Sequence, residues 1–303
     1  MISHSSNISS YNSEMKKLNE NLGGFGMKID VNKILVGLVL VLMVGGVSAE
    51  DWPMFRHDLE HTGETLDVIE NPEDLELVWK FKTEDSIHSS PATSGDYVYI
   101  GSQDGYVYCL DKHTGKLRWH FDVDAGSSPA VFGDYVYIGS KDSHIYCLNK
   151  NTGEVKWKFK TGGDVDSSPA VSEGYVYVGS GDDYVYCLDK NTGGLKWKFK
   201  TGGGVRSSPA ISGNFVFVGS LEGYVYCLDK NTGGLKWKFK TGNDIYSSPA
   251  VSGNYIYVGS DDGYVYCLDK NTGGLKWKFK INAGDIMRSS PAISENHNLC
   301  GLR

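Results

Sequence analysis

The sequence predicts an all-β protein made of tandem repeats, and three observations lead to this class. The composition, with 38 Gly, 19 Tyr and 7 Trp in 303 residues, favours strands joined by tight turns. The segment Ser-Ser-Pro-Ala recurs about every 40 residues, starting at Ser89, Ser127, Ser167, Ser207, Ser247 and Ser289. A tryptophan recurs with the same spacing, at Trp79, Trp119, Trp157, Trp197, Trp237 and Trp277. Repeats of about 40 residues with four short strands each are typical of β-propeller blades.

Each complete repeat is predicted to form four antiparallel strands. In the repeat that starts at Ser247 they are residues 248–251, 255–259, 264–269 and 275–280, separated by turns that contain Gly or Asn. The first strand carries small side chains and Pro249, which has no backbone N–H for a sheet partner. The fourth strand alternates apolar residues with lysines. The sequence therefore places the first strand innermost, beside the channel, and the fourth outermost.

Five repeats are complete, and partial strands flank them. A lone outer-type strand over residues 77–82 precedes them, and a lone inner-type strand over residues 289–294 follows. At this point the sequence allows either a closed or an incomplete ring. A truncated, inactive propeller fragment is a further alternative. The predicted boundaries are a leader over residues 1–49, an opening segment over 50–76, the repeats over 77–294 and a divergent tail over 295–303.

Residues 28–49 have the pattern of a secretory signal peptide. Lys28 and Lys33 precede an uncharged apolar stretch, and small residues lead up to Ala49, where cleavage is expected. Met27 is an alternative start codon for this signal. The apolar run of about 14 residues is shorter than the ~20 that a spanning helix needs, which argues against the alternative of a membrane anchor. The mature chain is therefore expected at the cell surface or secreted, with no spanning segment.

The net charge limits the classes of partner that the protein is expected to bind. A net charge of −7 without basic blocks disfavours nucleic acid, so we expect a protein or a cell-envelope polymer as partner and leave the oligomeric state open. The outer strands nevertheless carry lysines in series, such as Lys196, Lys198 and Lys200. They either protect the sheet edge from pairing or bind an anionic polymer.

The cysteines are predicted to be free and buried. Cys109, Cys147, Cys187, Cys227 and Cys267 occupy one site in successive blades, and packed sheets lie about 10 Å apart, beyond the reach of a disulfide. Cys300 lies outside the repeat pattern.

Two motifs resemble a known family. Leu-Asp-Lys-Asn-Thr-Gly-Gly-Leu-Lys-Trp, at residues 188–197, 228–237 and 268–277, is similar to the tryptophan-docking motif of pyrroloquinoline-quinone-like (PQQ-like) β-propeller repeats. Asp51-Trp52-Pro53 resembles the opening segment of exported members. The resemblance implies a ring in which each repeated tryptophan packs against the neighbouring blade.

The same resemblance raises an enzyme alternative, a quinone-dependent dehydrogenase with PQQ and calcium. Such enzymes have adjacent cysteines, which this sequence lacks, and Asp189, Asp229 and Asp269 recur once per blade, as turn-forming residues do. We therefore expect no catalytic residue and no cofactor.

No metal site is expected either. His57, Asp58 and His61 have a spacing that fits no standard zinc pattern, which favours structural packing. The segment Asp261-Asp262-Gly263 lacks the ligand series of a calcium loop, which favours a hairpin turn.

The repeats differ from one another mainly in two loops. Before the inner strands stand His88, Asp166, Arg206, Tyr246 and Arg288, and in the turn between the second and third strands stand Gln103, Lys141 and Asp261. Because neighbouring strands are antiparallel, both loops are expected on one face, near the channel mouth. The sequence therefore predicts an exported binding or scaffold module that uses this face, with neutral drift in exposed loops as the alternative.

Overall fold

In a computed structural model, the protein is described over residues 38–43, 51–64, 76–172, 174–281, 289–294 and 297–300. Within these residues every regular element is a strand, and five four-stranded antiparallel sheets follow one another along the chain. This confirms the predicted class, an all-β propeller of four-stranded blades. No helix in the described part is long and apolar enough to cross a membrane.

Each blade is built from four strands that are consecutive in the chain. Two strands precede the complete blades, β1 (Leu38–Met43) and β2 (Glu76–Lys82). Blade 1 comprises β3 (Ala92–Ser94), β4 (Tyr97–Gly101), β5 (Tyr106–Asp111) and β6 (Leu117–Asp122). Blade 2 comprises β7 (Ala130–Phe132), β8 (Tyr135–Gly139), β9 (His144–Asn149) and β10 (Val155–Lys160). Blade 3 comprises β11 (Ala170–Val171), β12 (Tyr175–Gly179), β13 (Tyr184–Asp189) and β14 (Leu195–Lys200). Blade 4 comprises β15 (Ala210–Ser212), β16 (Phe215–Gly219), β17 (Tyr224–Asp229) and β18 (Leu235–Lys240). Blade 5 comprises β19 (Ala250–Ser252), β20 (Tyr255–Ser260), β21 (Tyr264–Asp269) and β22 (Leu275–Lys280), and β23 (Ala292–Ser294) and β24 (His297–Cys300) follow it.

The inner strands are shorter than predicted. In blade 5 the strand starts at Ala250 instead of Ser248. Pro249 has no N–H to donate, and the Ser247 hydroxyl accepts a hydrogen bond from the Gly259 N–H at 3.1 Å. The serines therefore tie the start of the inner strand to the second strand through a side chain in place of the backbone ladder.

The second serine of each Ser-Ser-Pro-Ala segment links neighbouring inner strands. The Ser168 N–H donates to Oγ of Ser208 at 3.0 Å, and the same bond recurs from blade to blade. We call this set the serine belt: Ser90, Ser128, Ser168, Ser208, Ser248 and Ser290. The belt holds the inner strands together where only small side chains fit beside the channel.

Each repeated tryptophan except Trp277 docks on the following blade, as the resemblance implies. The Trp197 indole N–H donates to the Lys230 carbonyl at 3.0 Å, and this side chain is 8% exposed. Equivalent bonds join Trp79 to Lys112, Trp119 to Lys150, Trp157 to Lys190 and Trp237 to Lys270. Trp277 is 39% exposed, and no described residue accepts its N–H.

The cysteines of the five blades are free and buried, as predicted. They are Cys109, Cys147, Cys187, Cys227 and Cys267. Burial raises the pKa of the Cys187 thiol to about 12, so this thiol stays protonated and unreactive in the folded protein. The side chain of Cys300 lies outside the described residues.

The terminal strands form two-stranded sheets that the sequence had not indicated. β1 pairs antiparallel with β2, and its register breaks after Val41, opposite Trp79, as the register of blade 3 breaks after Cys187, opposite Trp197. β1 therefore occupies the third-strand position beside an outer strand. β24 pairs with β23 in the second-strand position. No hydrogen-bonded pairing joins these two sheets, so the ring is not closed within the described residues.

Candidate functional site

The two variable loops of each blade lie side by side. The turn between the second and third strands donates a backbone hydrogen bond to the loop that enters the same blade. These bonds run from Gln103 to Ser86, Lys141 to Asp124, Gly181 to Asp164, Leu221 to Gly204 and Asp261 to Asp244, at 2.8–3.0 Å. The variable positions therefore share one surface, which we call the mouth face.

Charged and polar side chains of the mouth face contact one another in two pairs that span four blades. Lys141 Nζ lies 3.4 Å from Oε1 of Gln103, on the preceding blade, and 3.6 Å from the Asp124 carboxylate. On the next two blades, Arg206 Nε lies 3.4 Å from Oδ2 of Asp166. We call Gln103, Lys141, Asp166 and Arg206 the mouth arc. Asp124 belongs to the same contact set, and the comparison of repeats did not single it out.

Gly126 lies between the two pairs of the mouth arc. A Cβ atom at this position would come within 2.8 Å of Asp166 Oδ1 and 3.2 Å of Lys141 Cγ. Burial raises the pKa of Asp166, and the positive charges of Arg206 and Lys141 oppose that rise. The arc thus combines a half-buried carboxylate with a guanidinium whose side chain is 46% exposed, so it offers both charges to a partner.

The other predicted site residues lie apart from the mouth arc. His88 is exposed on blade 1. Tyr246 and Asp261 are half-buried on blade 5, and both make contacts of their own. Arg288 lies outside the described residues. The structure therefore brings four of the predicted positions together as two neighbouring pairs and places the other described positions on blades 1 and 5.

The described stretch of the opening segment over residues 51–64 lies across the opposite end of the channel. Its carbonyl groups accept backbone hydrogen bonds from inner-strand residues that follow the serine belt, toward the turns between the first and second strands. The bonds run from Thr93 to Trp52, Val131 to Pro53, Ile211 to Leu59, Val251 to Glu60 and Ile293 to Thr62, at 2.6–3.0 Å. The mouth face is consequently the end of the channel that this segment leaves accessible.

His61 and Arg56 anchor the opening segment. His61 is 2% exposed, and its Nδ1–H donates to the Pro249 carbonyl at 3.1 Å. Arg56 donates to the carbonyls of His61 and Ser290, at 3.1 and 2.9 Å. Burial, together with the nearby Arg56 charge, lowers the pKa of His61 to about 4. The imidazole is therefore neutral and serves to pack the segment against blade 5.

We expect stability to fall as the pH drops from about 6.5 toward 4, because unfolded His61 takes up a proton in this window and folded His61 does not. The full effect is about 3 kcal/mol in the free energy of unfolding. Urea unfolding of wild type and His61→Gln at several pH values measures it, and the variant should have the shallower pH dependence. Parallel pH curves for the two proteins would show that His61 does not titrate as described.

The acidic side chains of the turns accept hydrogen bonds from nearby backbone and side-chain groups. Asp262 accepts hydrogen bonds from the Gly242 and Tyr264 N–H groups and the Tyr266 hydroxyl, at 2.5–3.1 Å. Asp189 accepts from the N–H groups of the turn that follows it. Across the described residues, no group of three or more His, Cys, Asp or Glu side chains is placed to hold a metal ion. These contacts favour the interpretation of both aspartates as turn residues.

Repeated blades, docked tryptophans and one variable face together define a β-propeller of the PQQ-like repeat class. The family model described as outer membrane protein assembly factor BamB matches residues 68–166, 123–204, 141–241 and 181–299. These matches cover more than half of the sequence, so the chain belongs to this family. A comparison with curated proteins finds no match.

Solved structures share the fold. BamB from Moraxella catarrhalis is 19% identical, with a TM-score of 0.51 over 72% of this chain and 83% of that chain. The computationally designed Ika8 protein is 21% identical, with a TM-score of 0.62 over 71% of this chain and 67% of that chain. The quinohemoprotein alcohol dehydrogenase from Comamonas testosteroni is 19% identical, with a TM-score of 0.69 over 77% of this chain and 49% of that chain. At these identities the likeness shows the fold alone.

Proposed function

We propose that this chain is an exported, non-catalytic interaction module that holds a protein partner at the mouth face. The observation that carries the proposal is the mouth arc, in which Gln103, Lys141, Asp166 and Arg206 combine both charges and an amide across four blades. Charged and polar groups arranged in this way select a partner by complementarity. The opposite turns repeat with little variation, and the opening segment covers that end of the channel.

The family description supports a scaffold role, since it names an outer membrane protein assembly factor. It also supports a location in the cell envelope, consistent with export directed by residues 28–49. Cleavage after Ala49 would remove β1 and leave the β2 edge without that partner strand. The mass of the mature protein tests this step, and a mature chain that begins before Glu50 would contradict it.

The dehydrogenase likeness raises a quinone-binding redox protein as a second candidate. Within the described residues, no three His, Cys, Asp or Glu side chains come together where they could hold the calcium of such a site. The five described cysteines are buried singly, one in each blade.

A binding experiment tests the proposed face. Immobilised mature protein is incubated with envelope extract, and the proteins it retains are identified and quantified for wild type and for a Lys141→Ala, Arg206→Ala, Tyr246→Ala variant. We expect the amount of partner retained by the variant to fall by about tenfold or more, because charged and aromatic side chains contribute most of the binding energy at interfaces.

The matched control replaces three lysines of the opposite face, Lys150→Ala, Lys190→Ala and Lys230→Ala. Their backbone carbonyls, which accept the tryptophan bonds, remain in place. The control should retain the partner. Equal retention by the mouth variant, with an unchanged circular dichroism spectrum, would reject the mouth face as the binding surface.

A further inference from the structure

The outer strands of blades 2 to 5 concentrate positive charge in a protein of net charge −7. β10, β14, β18 and β22 each carry three lysines and no acidic residue, and all of these lysines are exposed. Alternate residues of a strand lie about 7 Å apart on the same side. Blade 1 differs, because β6 has Arg118, His120 and Asp122 at the corresponding positions. The charge thus forms an arc on four consecutive blades, which we call the lysine rim.

The first and second lysines of a strand have different surroundings. The first is neutralised in blades 3 to 5, where Lys196, Lys236 and Lys276 lie 2.9–3.2 Å from Asp189, Asp229 and Asp269. In the same three blades the second has no ion pair among the described residues and lies over a tyrosine ring. Lys198, Lys238 and Lys278 are 4.4–4.5 Å from the ring centres of Tyr184, Tyr224 and Tyr264.

A cation held over an aromatic ring is positioned without being neutralised. The second lysines therefore present ordered positive charge at the same height on successive blades. If the lysines served only to protect the sheet edge from pairing, they would need neither an ordered position nor its repetition on successive blades, since any charged side chain blocks strand pairing.

We propose that the lysine rim binds a flexible linear polyanion, a polymer that carries phosphate or carboxylate groups along its length. The second lysines are not part of the mouth arc, so this binding does not depend on the proposed function. Successive blades rotate about the channel axis, and their outer strands consequently point in different directions. A flexible polymer follows such a convex arc, whereas a flat bilayer or a stiff duplex meets one or two blades only.

Binding of the purified full chain to long-chain polyphosphate and to polygalacturonate, measured by calorimetry at increasing NaCl concentration, tests the proposal. We expect affinity to fall steeply with salt and to rise with polymer length, since a short chain such as tripolyphosphate reaches a single blade. A response to polyphosphate alone or to polygalacturonate alone assigns the anion as phosphate or carboxylate.

Two triple variants locate the site. Lys198→Gln, Lys238→Gln and Lys278→Gln should weaken binding about tenfold and reduce the slope of log affinity against log salt by about 2. The matched control, Lys150→Gln, Lys190→Gln and Lys230→Gln, removes the same charge from turns outside the rim and should change affinity less than about threefold, since salt screens charges that do not contact the polymer.

Four results would overturn the proposal. The first two are an equal loss of polymer affinity in the two triple variants and no loss of affinity in either. The other two are no binding of either polymer at about 50 mM salt, and binding to anionic lipid vesicles but not to the polymers. The last result would assign the rim to a membrane surface.

Discussion

Replacing Trp197 by alanine should lower the free energy of unfolding by about 3–5 kcal/mol, the range for removing a buried tryptophan. The indole is 8% exposed and packs between blades 3 and 4 with Tyr177, Val216 and Leu228. Its N–H also satisfies the Lys230 carbonyl. Trp197→Phe keeps much of the packing and loses the hydrogen bond, so a loss of about 2 kcal/mol is expected for it.

Trp277→Ala is the matched control, because Trp277 has the same position in its repeat and is 39% exposed. It should cost less than half as much as Trp197→Ala in urea unfolding followed by circular dichroism, since less buried surface is lost. Equal losses would mean that docking on a following blade is not what stabilises these residues.

Replacing Gly193 by alanine should cost about 3 kcal/mol or more, for two reasons that add. Gly193 has a φ of +71°, which L-residues adopt with strain. A Cβ atom there would also lie 2.7 Å from the Trp157 ring of the preceding blade. The substitution therefore strains the turn and pushes the docked indole out of place.

Gly213→Ala separates the two contributions. Gly213 has a φ of +59°, but a Cβ atom there would meet no atom within 4 Å. Only backbone strain applies, so we expect a loss of about 1–2 kcal/mol in the same unfolding experiment. If the two glycine variants are equally stable, the contact between Gly193 and Trp157 does not limit blade docking.

The fold was predictable because every complete repeat carries the same pattern of strand residues, turn residues and docking tryptophan. Tyr264–Asp269 and Leu275–Lys280 form strands with the predicted bounds, since the turn over residues 261–263 precedes the first strand and the turn over 270–274 separates the two. The inner strands were predicted too long because Ser248 and Pro249 resemble strand residues in sequence. In the structure the Ser248 N–H donates to the Ser290 hydroxyl of the next inner strand, and the Gly259 N–H of the second strand donates to the Ser247 hydroxyl.

The site was predictable in part. Comparison of the repeats identified Lys141 and Asp166 as variable positions, because neighbouring repeats are otherwise nearly identical. It could not show that Lys141 reaches Gln103, since that contact depends on how far apart adjacent blades lie. The path of the opening segment was also hidden, because residues 51–64 bond through backbone carbonyls, which carry no sequence signal.

The most direct test of the central claim, that this propeller binds a partner and does not use a redox cofactor, is absorption spectroscopy. The purified mature protein is titrated with pyrroloquinoline quinone with and without Ca²⁺, and folding is verified by circular dichroism. We expect no stoichiometric, calcium-dependent shift in the spectrum. Such a shift, saturating at one quinone per chain, would contradict the account and identify the protein as a quinone-binding one.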